Sequence, residues 1–227
     1  LDYVEGRPYA PTGATWDRAV EYWRTLKADD DAAYDKDIAI DCTHIVPEVT
    51  WGTSPGHGSR IDGVVPDPSN APNANTRSAW ERALEYMDLT PGTPLEGLPI
   101  DAAFIGSCTN SRLSDLRDVA KVVEGRRVAE GVKAIVVPGS SQVKKAAESE
   151  GLDKVLIEAG FEWRESGCSM CFFAGGEHFG EQERVISSTN RNFENRQGPK
   201  TRTHLASPTS VAASAIAGSI ADVRKLG

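Results

Sequence analysis

The chain has 227 residues, with 25 Lys plus Arg against 33 Asp plus Glu, a formal net charge of −8, 39% apolar residues and 26% charged ones. This profile excludes disordered, collagen-like and coiled-coil chains, and the length suffices for one or two domains with a real hydrophobic core. The acidic balance argues against nonspecific nucleic-acid or anionic-membrane binding, because neutralising phosphates takes an excess of Lys and Arg.

No run approaches the roughly 18 consecutive apolar residues of a membrane span, and no basic region followed by an apolar core opens the chain. A cytoplasmic protein with no nucleic-acid or membrane partner is expected. The opening residues, Leu1 to Pro8, read as the middle of a longer protein, so a preceding part is expected as well.

Residues 15–27 place Trp16, Ala19, Val20, Trp23 and Leu26 at helical spacing, which predicts an amphipathic helix. Residues 36–42 (KDIAIDC) have the length and branched apolar content of a strand. Residues 49–75 are dense in Gly, Pro, Ser and Asn and are expected to form a long functional loop. A helix is predicted over 76–87, then strands over 100–105 and 132–137 flanking a helix over 113–123. A helical stretch over 142–159 is broken at Gly151, strands follow at 161–165 and 184–187, and a small-residue helix at 210–223 closes the chain. Alternating strands and helices predict one α/β lobe over 1–227, with a mostly parallel sheet and helices on both faces.

In such a sheet, ligands collect where strands end and the chain turns. The cysteines are Cys42, Cys108, Cys168 and Cys171, too few for a disulfide scaffold. Cys108 lies in Gly106-Ser107-Cys108-Thr109-Asn110-Ser111-Arg112, between a predicted strand and a predicted helix, where exposed backbone N–H groups favour an anion. Cys168 and Cys171 form a C-x-x-C after another strand. One distant thiol plus a C-x-x-C can serve an iron–sulfur cluster with one iron left open as a Lewis acid. A structural zinc site completed by Cys42 and His44, a thioredoxin-like redox pair and inert thiols are the competing readings. A third cluster, residues 187–198 (SSTNRNFENRQG), sets Arg191 and Arg196 in a turn of small polar residues. Guanidinium forks match carboxylates, although a solvated loop would look the same.

Together, GSCTNSR, GCSMC and SSTNRNFENRQG in this order resemble the aconitase family, and VPEVTWGTSPG and SPTSVAASAIAG extend the match along the chain. The resemblance implies an aconitase-type cluster-binding domain in which Cys108, Cys168 and Cys171 ligate a [4Fe-4S] cluster. It further implies that Asn190 lies beside the cluster and that Arg191 and Arg196 contact a dicarboxylate substrate. The implied activity is a hydro-lyase isomerisation by dehydration and rehydration, here of 2- to 3-isopropylmalate in leucine biosynthesis. Homoaconitate, citrate and 2,3-dimethylmalate are the alternative substrates, and a zinc-binding module is the alternative without catalysis. The chain's ending resembles the two-subunit isomerases, which implies a small subunit as partner. Acid and base residues that the family carries elsewhere are not among these residues, so the isolated chain is expected to be inactive. Asn195 stands where the family pattern has Gly, and His44 and His57 carry no implied role.

Overall fold

The computed structural model describes residues 1–173 and 176–226. They fall into two compact units, Leu1–His44 and Ile45–Gly227.

In the first unit, α1 spans Ala14–Trp23 and holds Trp16 edge-on to Trp23 at 5.7 Å, yet none of its residues is buried. The strand expected at 36–42 does not form: the segment is irregular, with Ile38 and Ile40 63% and 73% exposed. A lone strand leaves its N–H and C=O groups unpaired, and Leu1–His44 contains no other strand to pair with.

In the second unit, residues 49–75 have more structure than a loop. Strands β1 (Glu48–Thr50) and β2 (Gly58–Arg60) pair antiparallel, and a 3-10 turn spans Pro68–Asn70. The buried Trp51 explains the tightness of this hairpin: it stacks on His57 at 4.4 Å and meets Trp80 edge-on at 5.4 Å. Helix α2 (Ala74–Met87) starts where the Asn73 side chain accepts from Thr76 N, and it buries Ala83, Leu84 and Met87.

Five parallel strands form the sheet: β3 (Ala102–Ile105), β4 (Lys133–Val136), β5 (Glu162–Trp163), β6 (Arg184–Ser187) and β7 (Arg202–Leu205). Their order is β5-β4-β3-β6-β7, so the chain winds outward in one direction from β3 and then in the other from β6. The point of reversal lies between β3 and β6, the place where open α/β sheets bind ligands. Side chains alternate strictly. Ala103, Ile105, Ala134, Val136 and Ile186 join one core, while Ala102, Phe104, Ile135, Val137 and Val185 join another on the opposite face.

The α/β class and the parallel sheet are as expected. Helices pack around the sheet, and the two buried cores on its faces are unequal. Helices α3 (Leu113–Val123), α4 (Ser141–Ser149), α5 (Leu152–Ala159) and α6 (Pro208–Ala217) all contribute buried apolar residues to the first core, as does α2. Among the described residues, the second core is closed by Met170 and Phe179, from irregular chain between β5 and β6. The connections after β5 and β6 carry Gly, Ser, Asn and Arg with no apolar period, so nothing drives them into helices.

Helix α6 is buried around its whole circumference through Ser210–Ala215, and its small residues permit close approach to α3 and β3. It stops at Gly218, which takes the left-handed conformation with φ +72°, short of the predicted end.

Candidate active site

The loops after β3 and β6 are stitched to each other at the point of reversal. Gly106 N donates to Ser188 Oγ at 3.1 Å, and Asn110 Nδ2 donates to the Ser188 carbonyl at 2.6 Å. The Ser188 hydroxyl lies 3.1 Å from Gly106 O and 3.2 Å from Asn110 O, both acceptors for its proton. Gly106 has a packing reason to be glycine, since a Cβ there would sit 2.9 Å from the Phe104 ring. The loop after β4 closes in as well: Gly139 N donates to Ser111 O at 2.9 Å. On this scaffold Cys108 is exposed, just before α3. The first turn of α3 is held by Asp115, whose carboxylate accepts from Arg112 N at 2.9 Å.

Cys168 caps and Cys171 ends a 3-10 turn (Ser169–Cys171) in which Cys171 N donates to Cys168 O at 2.9 Å. Met170, fully buried between them, plugs the turn into the second core. Arg196 reaches this turn from the loop after β6. Its Nε donates to Cys171 O at 2.8 Å and its Nη2 lies 3.4 Å from Cys171 Sγ and 3.5 Å from Asn190 Oδ1. The guanidinium also lies 5.2 Å from the centre of the Phe193 ring. Asn190 and Arg191 are exposed on the same loop.

The structure thus brings Cys171, Arg196 and Asn190 together and places the Cys108 loop against the Asn190 loop through Ser188. All four cysteines are free. Among the described residues, no group of three His, Cys, Asp or Glu side chains stands close enough to share a metal ion. The chemistry of the donors nevertheless suits an iron–sulfur cluster: they are soft thiols on loops at one end of the sheet, and one sulfur already lies beside a guanidinium that can donate to it. Cys42 and His44 belong to the irregular end of the first unit and are exposed.

Several residues that hold the site carried no role in the sequence reading. Asn192, 2% exposed, directs its Nδ2 at Thr50 Oγ1, Gly52 O and Thr203 O, at 3.0, 2.6 and 3.0 Å, and so moors the arginine loop to the β1–β2 hairpin. Asn195 takes φ +64°, a conformation Asn tolerates, and its Oδ1 accepts from Lys200 N at 2.7 Å. His204 is fully buried in β7, with Nδ1 2.6 Å from Thr50 O and Nε2 2.9 Å from Arg184 Nη1. Burial and the neighbouring Arg184 charge push its pKa down to about 3, which fixes it as a neutral ring that donates to Thr50 and accepts from Arg184. Burial also lowers the pKa of His57, whose Nδ1 is enclosed without a partner among the described residues.

The fold and these loops define a member of the aconitase family, and the chain belongs to it: the model of the aconitase family (aconitate hydratase) matches residues 1–218. Its similarity is strong to proteins named 3-isopropylmalate dehydratase large subunit. One from Cupriavidus necator is 65% identical over 99% of this chain and 84% of its own length. Those from Bradyrhizobium diazoefficiens and Roseiflexus castenholzii are 58% and 55% identical, over 100% and 99% of this chain. The chain spans about half the length of these latter two, 47% and 48%.

Proposed function

We propose that this chain provides the cluster-holding and dicarboxylate-holding lobe of a hydro-lyase that converts 2-isopropylmalate to 3-isopropylmalate, working with a small subunit in leucine biosynthesis. The observation that carries the reading is the junction of Arg196 with Cys171 and Asn190, beside the Ser188 link to the Cys108 loop.

Cys108, Cys168 and Cys171 would hold the [4Fe-4S] cluster, which when bound supplies an open Lewis-acid iron to assist loss of a hydroxyl. Arg191 and Arg196 bind the substrate carboxylates, and their planar forks fix the rotation of the carbon skeleton. Orientation matters here because the two isomers differ only in which neighbouring carbon carries the hydroxyl. Arg196 also donates toward the Cys171 sulfur and so holds the thiol loop in register with the carboxylate it binds. Asn190 contributes an amide at the same junction. Proton transfer at carbon falls to groups other than these, and because the chain spans only 47% and 48% of two of its relatives, turnover is expected of the assembly.

The test combines the chain with the remaining length of its large-subunit relatives and a small subunit, and follows 2-isopropylmalate consumption under anaerobic conditions. The reading predicts turnover by the assembly and none by the chain alone, with Arg191→Ala and Arg196→Ala lowering kcat/KM at least ~100-fold through lost charged hydrogen bonds. Turnover by the isolated chain, or full activity in both arginine variants, would overturn it.

A further inference from the structure

Among the described residues, the segment that carries Cys168 and Cys171 has neither helix nor strand to brace it beyond one 3-10 turn. It is gripped instead by two successive residues, Arg196 and Gln197. The Arg196 carbonyl accepts from Phe173 N at 2.7 Å and the Gln197 carbonyl accepts from Phe179 N at 3.0 Å, one on each side of the segment's second half. Gln197, 0% exposed, sends its Nε2 to Met170 O at 2.8 Å, inside the C-x-x-C itself. The other end of the amide is referenced to the sheet. Thr203 Oγ1 of β7 donates to Gln197 Oε1 at 3.0 Å, and Ser187 Oγ at the end of β6 lies 3.4 Å from Nε2.

We propose that Gln197 is a positioning residue that transmits the frame of β6 and β7 to the C-x-x-C turn and so sets the placement of Cys168 and Cys171. The inference rests on reading those cysteines as cluster ligands, but the mechanical part stands on contacts that do not involve the cluster. The amide meets both demands at this buried spot, donating to a carbonyl and accepting from a hydroxyl at once. Glu keeps the shape and the Thr203 contact, yet in its charged form it sets a carboxylate oxygen against Met170 O. Leu removes both interactions and leaves Met170 O unpaired in the core.

The test uses the 227-residue chain, reduced and metal-free, as wild type, Gln197→Glu, Gln197→Leu and the core control Val211→Ala. Val211 is buried in the other core, on α6, away from the C-x-x-C. Hydrogen exchange over residues 168–173 and the iodoacetamide alkylation rate of Cys171 are compared. Both Gln197 variants are expected to exchange and alkylate at least ~10-fold faster than wild type, with Val211→Ala unchanged at this segment. If Gln197→Leu does not fold, Gln197→Glu carries the comparison. Unchanged rates in the Gln197 variants, or an equal rise in Val211→Ala, would overturn the proposal. Iron and sulfide uptake by the wild type is read separately: its failure refutes the ligand assignment and leaves the role of Gln197 to be decided by exchange.

Discussion

A distinct part of this fold's loss of stability on acidification should come from His204. The ring is fully buried and its pKa is pushed from 6.5 to about 3, first by burial and then by the Arg184 charge, against a weaker opposing hydrogen bond to Thr50. A histidine with a depressed native pKa binds its proton more readily in the unfolded chain. Stability is therefore unaffected above pH 6.5 and falls as pH drops from there toward 3, by about 1.4 kcal/mol per unit at full slope. At pH 5, about 1.5 units below the unfolded value, the loss from this residue is about 2 kcal/mol, a large share of a typical domain's 5–15 kcal/mol. The assay is urea unfolding followed by tryptophan fluorescence at pH 7.5, 6 and 5, for wild type and His204→Gln. The Gln variant keeps an uncharged donor and acceptor, so it starts less stable but should lose about 2 kcal/mol less between pH 7.5 and 5. Parallel pH dependences in the two proteins would refute the argument, because the exposed carboxylates they share would then explain the whole effect.

Met170→Ala should cost about 2–5 kcal/mol in the same unfolding assay, since it removes the fully buried plug of the second core. Gly106→Ala should cost about 1–3 kcal/mol, because its Cβ would lie 2.9 Å from the Phe104 ring and 3.2 Å from Val137. Asn192→Ala should leave the sheet intact but raise hydrogen exchange across the β1–β2 hairpin, whose Thr50 and Gly52 it holds. An effect spread evenly over the sheet instead would remove its role as a mooring.

Strands β3 and β4 were legible because they are short apolar runs closed by Gly106 and Pro138, and α3 matches the predicted 113–123 residue for residue. Strand β7 was not legible. Arg202, Thr203 and His204 look like a polar loop, and tertiary partners make their burial tolerable: Tyr86 and Asp88 for Arg202, Gln197 and Asn192 for Thr203, Thr50 and Arg184 for His204. Residues 36–42 fail in the opposite sense, since their apolar content suits a strand but the first unit has none to pair with. The same division holds at the site. Cysteine spacing, paired arginines and the order of the motifs could be read directly, whereas Asn192, Gln197 and Ser188 act through partners far along the chain. Their only signal was an excess of small polar residues in a loop too well packed to be solvated.

Anaerobic reconstitution with iron and sulfide tests the central claim most directly. The account predicts about four irons per chain, the visible absorbance of an iron–sulfur cluster, and loss of both in each of Cys108→Ser, Cys168→Ser and Cys171→Ser but not in Cys42→Ser. Stoichiometric zinc without iron uptake, or a cluster that survives Cys108→Ser, would contradict it.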